Sequence, residues 1–140
     1  MKGSFIRSMF HEEPPGTFAK GYVFLNVPEI GSDQGDHEIG YWHCDIADNE
    51  RLTWSAKVYE LFGLDNQASV HREWAVSRYN ALSQSILSEV RSFALRRKCG
   101  FILDAEIHPE PANDRWIRIL AVPILSRERL VGLHGLKRAL

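Results

Sequence analysis

The chain has 140 residues, of which 44% are apolar and 25% charged, and its formal net charge at pH 7 is −1. This length and composition suit one globular domain with a single core. A charge so close to zero gives no electrostatic reason to bind nucleic acid or an anionic membrane surface. No apolar run approaches the roughly 18 residues that cross a bilayer, and no secretory signal follows Met1. We therefore expect a cytoplasmic protein with no nucleic-acid and no membrane partner.

The first 38 residues predict a flank that differs from the rest of the chain. A short amphipathic helix is expected near the start, and its apolar side consists of Phe5, Ile6, Met9 and Phe10. This side needs a surface to cover. Residues 22–27 predict a strand or an extended segment lying on the domain, and residues 28–37 predict a loop. The alternative is a partly frayed tail.

Residues 39–64 predict a strand, a tight turn, a second strand and a short helix in one run. Aromatic side chains such as Tyr41 and Trp42 favour a pleated surface, and residues 47–50 supply turn chemistry before the extended pattern resumes at Leu52. Ser55 is placed as the N-cap of the helix, and Gly63 is placed to end it in a left-handed conformation.

Two helices and three strands are expected after this run. The helices cover residues 71–79 and 81–98, and the longer one carries an apolar stripe of Leu82, Ile86, Val90 and Phe93, widened by Leu87 and Ala94. Extended segments begin at Phe101, Arg115 and Val131.

Several short motifs follow one another in a fixed order. They are Gly-x-Trp-x-x-Asp at residues 40–45, Trp-Ser at 54–55, Tyr-x-Leu-x-Gly-Leu at 59–64, and closing strands with Arg-Trp at 115–116 and Pro123. Each motif alone is weak, but their order and spacing resemble a PAS sensory domain over residues 39–140, with residues 1–38 as its flank. The resemblance implies an α+β fold: a five-stranded antiparallel sheet in the order 2-1-5-4-3, helices across its concave face, and an N-terminal flanking helix.

The period of two along each strand separates the sheet faces. If Leu103 and Ile107 face the interior, then Asp104 and Glu106 face outward, where adjacent carboxylates normally remain solvated. The resemblance adds the inward positions on the next strand. The candidate ligand-binding residues are therefore Trp42, Leu103, Ile107, Ile117, Ile119 and His134.

His134 is the best polar candidate to face a ligand. It closely follows Gly132 on the last strand, in a region where flavin-binding relatives carry a Gln that contacts the ring. An imidazole there could hydrogen-bond a small molecule or ligate haem. The plainer alternative is a His satisfied by a neighbouring group at the sheet edge.

On the predicted strand that begins at Arg115, the side chains that point outward form an apolar strip on the face where solvent is expected. The N-terminal helix is the candidate cover, so the candidate interface consists of Phe5, Ile6, Met9, Phe10, Trp116, Leu120 and Val122. We expect a homodimer through this interface. The helix folding back on its own sheet would cover the same surfaces.

The sequence lacks the signatures of two cofactors, an adduct-forming flavin and haem. The adduct-forming flavin subclass carries a Cys on the helix after the pocket loop, and residues 72–84 contain none. Haem-binding relatives usually place a proximal His on the long helix, and residues 81–98 contain none. No metal site is expected either, because His11 with Glu12 and Glu13 lacks the spacing of a zinc site. The identity of a cofactor stays unknown.

The resemblance implies a module for bacterial-type signal transduction, such as the regulatory domain of a histidine kinase, two-component or cyclase system. It would bind a small ligand, a protein partner such as a kinase, or both, and pass the signal through dimer or partner contacts. The alternatives are an adaptor without a ligand and, less favoured, a small α+β enzyme. No nucleophile, base and orienting group can be assembled around Asp104 and Glu106, so we expect that the protein is not an enzyme.

Overall fold

The computed structural model describes residues 9–11, 18–26, 30, 37–66, 68–109 and 112–140. The strands are β1 (Tyr22–Leu25), β2 (Ile39–Asp45), β3 (Arg51–Trp54), β4 (Gly100–Ile107), β5 (Arg115–Ser126) and β6 (Arg129–Ala139). The helices are α1 (Ala56–Leu61), α2 (Arg72–Ser77) and α3 (Ala81–Arg97). A 3₁₀ turn at Ile46–Asp48 links β2 to β3, and residues 9–11 are helical. Among these helices, none combines the length and apolar character needed to cross a bilayer.

The strands form one antiparallel sheet in the order β1-β4-β5-β6-β2-β3. Without β1, and read from β3 to β4, this is the predicted order 2-1-5-4-3, so the PAS topology is confirmed. The predicted strand count is short by one, because β1 pairs with β4 and places Tyr22 opposite Leu103. The N-terminal flank thus adds a sixth strand, which satisfies backbone groups that the edge of β4 would otherwise leave unpaired.

Two apolar clusters lie on opposite faces of the sheet. The inner core joins strand residues such as Leu103 and Ile117 to helix residues such as Val58 and Val90. The outer cluster consists of Phe10, Leu25, Ile102, Leu120, Val122 and Leu136. Helices therefore cover the inner face, and N-terminal residues cover part of the outer face.

Ser55 and Gly63 frame α1. Ser55 occupies the N-cap position, but its Oγ accepts a hydrogen bond from the Tyr41 N–H at 2.8 Å and makes no cap bond. The expected cap therefore ties the start of the helix to β2. Gly63 has a φ of +68°, as expected for a left-handed helix end.

The N-terminal turn of α3 differs from the predicted apolar stripe. Asn80 caps the helix by accepting a hydrogen bond from the Ser83 N–H at 2.7 Å. Leu82 is 70% exposed, whereas Ser83 is buried. The reason is a hydrogen bond, since Ser83 Oγ accepts from the Glu106 N–H of β4 at 2.9 Å.

Candidate functional site

A cavity of about 70 Å³ lies between the inner sheet face and the helices α2 and α3. Its aromatic walls are Trp42, Trp54, Tyr79 and Phe101, its polar groups are Cys44, Arg72, Arg91 and Lys137, and its aliphatic walls include Ala75, Leu87, Ile119 and Leu133. An engineered apolar cavity of about 150 Å³ admits benzene. The present volume therefore suits a molecule of a few non-hydrogen atoms, and a flavin or a haem far exceeds it.

Lys137 is the central polar group of this cavity. It follows Leu133 on β6 by four residues, and the period of two keeps both side chains on the inner face. Its Nζ lies 5.0 Å from the ring centroid of Phe62, 5.4 Å from that of Trp42 and 5.5 Å from that of Trp54. We call these three rings the aromatic cage.

The Lys137 amine has no counter-charge in the described part of the chain. Its polar neighbour is the Tyr79 hydroxyl, with 3.4 Å between Nζ and Oη. Burial lowers the pKa of Lys137 from 10.5 to about 7, against a smaller opposing effect of Cys44. Attraction to an aromatic ring stabilises the ammonium by only about 0.5–2 kcal/mol, so the desolvation cost of the buried charge determines the direction of the pKa shift. The amine consequently changes its charge close to neutral pH.

Two guanidinium groups reach the same cavity and share one carboxylate. Arg91 Nη2 lies 2.8 Å from Glu50 Oε1, and Arg72 Nε lies 4.0 Å from the same oxygen. Cys44 Sγ lies 3.9 Å from Arg91 Nη2, and burial raises the pKa of its thiol. Because the thiol is neutral at pH 7 and one carboxylate faces two guanidinium groups, the cavity carries excess positive charge, and protonation of Lys137 increases it.

The structure brings together only part of the predicted ligand-binding set. Trp42 and Ile119 line the cavity. Leu103, Ile107 and Ile117 are buried in the inner core, but they do not line it.

His134 lies on the opposite face of the sheet, so the expectation that it points inward is wrong. It is paired with Val122, which belongs to the outer cluster, and its Nδ1 lies 3.1 Å from the Tyr41 hydroxyl oxygen. Burial and then the neighbouring His43 lower the pKa of its imidazole. The physical reason is strand phase: Leu133 belongs to the inner core, so the next side chain points outward.

Lys137 was not among the predicted site residues, although the sequence contains a signal for it. Once Leu133 is placed inside, period-two alternation also places Gly135 and Lys137 inside. A lysine on the buried phase of a strand is uncommon unless it is paired or functional.

A buried ion pair occupies the outer side of β4 and β5. Asp104 lies opposite Arg118 and accepts its hydrogen bonds, at 2.7 Å from Nε and 3.0 Å from Nη2. The Phe18 ring covers the guanidinium, with its centroid 4.8 Å from Cζ, and Met9 O accepts from Nη1 at 2.8 Å. The expectation that the Asp104 carboxylate remains solvated is therefore wrong, because N-terminal residues cover it.

The predicted interface residues are partly covered within the single chain. Phe10 is 1% exposed and packs in the outer cluster with Leu120 and Val122. Met9 packs against the same cluster, while Trp116 remains 38% exposed. The other two predicted interface residues, Phe5 and Ile6, lie outside the described residues.

One hydrogen bond joins the aromatic cage to the backbone of β5 at Leu120, whose side chain belongs to the outer cluster. Trp42 Nε1 donates to the Leu120 carbonyl oxygen at 3.2 Å, although β6 lies between their strands. Gly135 is paired with both Trp42 and Ala121, and a Cβ at Gly135 would overlap the Leu120 carbonyl oxygen. The absent side chain lets the indole cross β6 and reach β5.

Solved structures with the same fold come from sensory proteins. The N-terminal domain of a diguanylate cyclase with a PAS/PAC sensor from Marinobacter aquaeolei superposes with a TM-score of 0.65 at 12% identity, over 72% of this chain and 94% of that one. A sensory box histidine kinase/response regulator from Burkholderia thailandensis gives 0.62 at 9% identity, over 74% and 77%. A fungal LOV domain photoreceptor gives 0.59 at 18% identity, over 81% and 84%.

The chain has the PAS fold, with an additional N-terminal strand at the sheet edge. No protein-family model and no curated protein matches the sequence. At these identities the likeness extends to the fold alone, so the chemistry of the site has to be argued from this chain's own residues.

Proposed function

We propose that this chain is a sensory signal-transduction module whose ligand binds in the Lys137 cavity and whose signal leaves through the outer sheet face. The observation that carries the proposal is Lys137 itself. Within the part of the chain that the structure describes, its amine is buried without a counter-charge and beside an open volume, an unfavourable arrangement that a ligand can relieve. Sensory domains of a cyclase and of a histidine kinase share the fold, which supports the same class of role here. The proposal assigns the chain no catalytic step.

The signal route starts at the cage and ends at the N-terminal residues. A ligand at Lys137 displaces or fixes the Trp42 indole, whose Nε1 is bonded to the carbonyl of Leu120. The Leu120 side chain packs with Phe10 on the outer face. Ligand binding therefore changes the stability of the contacts that Met9, Phe10 and Phe18 make with the outer sheet face.

A paired thermal-shift and hydrogen-exchange experiment tests this proposal. A library of neutral and charged molecules of up to about six non-hydrogen atoms is screened against the wild type and against Ala75→Leu, which fills the cavity from α2. A binder at 100 times its Kd raises the free energy of unfolding by about 2.7 kcal/mol in the wild type only. The same binder is expected to change amide exchange in residues 9–26.

Two results separate this proposal from an adaptor that works without a ligand. If no molecule of any charge stabilises the wild type more than it stabilises the Ala75→Leu variant, the cavity is not a ligand site. If a binder stabilises the protein but leaves exchange at residues 9–26 unchanged, the proposed route through Trp42 is wrong.

Transmission through a second subunit or a kinase-like partner belongs to the same proposal. Among the described residues, Tyr41 and Trp116 are two large aromatic side chains that stay exposed on the outer face, at 40% and 38%. Because Phe10 already covers Leu120 and Val122, a homodimer would use Tyr41 and Trp116 rather than the covered strip. Sedimentation velocity at tens of micromolar is expected to show a dimer that Trp116→Glu dissociates. A monomeric wild type would leave a separate partner chain as the recipient of the signal.

A further inference from the structure

We propose that the Lys137 cavity takes a small monocarboxylate, with the carboxylate at the Lys137 amine and a short alkyl end against the aliphatic wall. This inference rests on the proposed function, because it names the ligand class of that same site. It stands on the geometry of the cavity: its charges, its apolar walls and its volume.

Charge is the first reason. Aromatic cages commonly attract cationic ligands, but here the chain's own Lys137 ammonium already occupies the cage. Arg91 and Arg72 add two positive charges against the single carboxylate of Glu50. A cationic ligand would therefore be repelled, whereas an anion supplies the counter-charge that no described residue gives the buried amine.

Hydrogen bonding is the second reason. Nζ of Lys137 has three donor positions, and the Tyr79 hydroxyl beside it can donate as well. Carboxylate oxygens accept several such bonds, and bonds between charged partners are roughly twice as strong as neutral ones. An alcohol or an amide would leave the buried charge uncompensated.

Size and polarity are the third reason. The cavity of about 70 Å³ has Ala75, Leu87, Ile119 and Leu133 in its walls. A volume about half that of a benzene-sized cavity accommodates roughly three to five non-hydrogen atoms. Acetate and propionate meet this limit, and their alkyl ends suit the aliphatic wall.

The proposed ligand couples binding to a proton. Among the described groups that face Lys137, burial raises the pKa of both the Cys44 thiol and the Tyr79 hydroxyl, and the other two are the guanidinium groups of Arg72 and Arg91. Between pH 6 and 8, Lys137 is thus the lining group that titrates. Because the anion prefers the protonated amine, its affinity is expected to fall about tenfold from pH 6 to pH 8.

Isothermal titration calorimetry of the full chain with propionate and its neutral isostere propionamide tests the assignment. Measured in buffers of different ionisation enthalpy, propionate binding is expected to take up about 0.9 proton at pH 8 and about 0.1 at pH 6. Lys137→Met is expected to weaken propionate at least tenfold. Lys98→Met, at an exposed lysine beyond the end of α3, is the matched control and keeps the wild-type affinity.

The outcomes distinguish the ligand class from the function. Equal binding of propionamide and propionate, or propionate binding that survives Lys137→Met, overturns the anion assignment and leaves the cavity as a ligand site. Absence of propionate binding at millimolar concentration, with another molecule from the library bound, also overturns the assignment alone. Failure of every molecule, charged or neutral, overturns the proposed function with it.

Discussion

Replacing Lys137 by Met is expected to make the ligand-free protein more stable at pH 7 and to remove much of the pH dependence of its stability. Met comes close to the length of the lysine side chain and adds apolar contact with the aromatic cage. It also removes a buried amine that has no counter-charge among the described residues. The variant therefore isolates the energetic effect of the charge.

The magnitude follows from the two pKa values of the amine. In the folded protein the pKa of Lys137 is about 7, below the ordinary value of 10.5. Between these values the unfolded chain binds more protons, so the free energy of unfolding rises with pH. The whole shift corresponds to about 5 kcal/mol, of which about 2 kcal/mol falls between pH 7 and pH 9.

Urea unfolding followed by far-ultraviolet circular dichroism, at pH 7, 8 and 9 and without ligand, measures this effect. Groups common to both proteins, such as the buried Cys44 thiol, cancel when the two pH profiles are subtracted. The stability advantage of Lys137→Met is expected to shrink by about 2 kcal/mol from pH 7 to pH 9. Parallel profiles would show that the amine is solvated or paired in the folded state, which would contradict a buried and uncompensated Lys137.

Three further substitutions test the packing around the site. Trp54→Ala is expected to lower the free energy of unfolding by about 3–5 kcal/mol, because the indole is buried and stacks on a second ring, and an unchanged melting temperature would refute the inner-core assignment. Asp104→Asn removes the carboxylate charge that accepts two hydrogen bonds from the buried Arg118 guanidinium, and it is expected to cost about 3–5 kcal/mol in chemical denaturation. A loss below about 1 kcal/mol, the range of exposed pairs, would mean that the pair is hydrated. Gly135→Ala places a methyl group on the Leu120 carbonyl and is expected to displace the Trp42 indole. A change in indole fluorescence reports this displacement. Wild-type fluorescence with wild-type stability would contradict the close approach of Gly135 to the Leu120 carbonyl.

Much of the fold was predictable because its signals are local. The strand, turn, strand and helix of residues 39–64 follow from alternation, from turn residues and from Gly63, and the structure has each of them. The edge strand β1 was expected only as a strand or an extended segment. Its pairing with β4 depends on which edge of the folded sheet is free, and that is not a local property.

The site was less predictable because burial of charge depends on several elements at once. Lys137 is caged by rings from β2, β3 and the end of α1, which no single segment reveals. Likewise, Asp104 is an outward strand residue, and N-terminal residues such as Met9 and Phe18 cover the ion pair that it forms with Arg118. His134 differs, because the phase of Leu133 was sufficient to place it outside, and carrying over a ligand position from flavin-binding relatives conflicted with that phase.

The proposed ligand site depends on the ionisation of Lys137, which can be measured directly. Nuclear magnetic resonance of protein labelled at the lysine side chains with ¹³C and ¹⁵N follows each amine with pH, and Lys137→Met assigns the signal. A midpoint near pH 7 for this one lysine, moving upward when propionate is added, is the predicted result. A midpoint near 10.5, unchanged by the ligand, would contradict a buried and uncompensated Lys137 amine at the proposed ligand site.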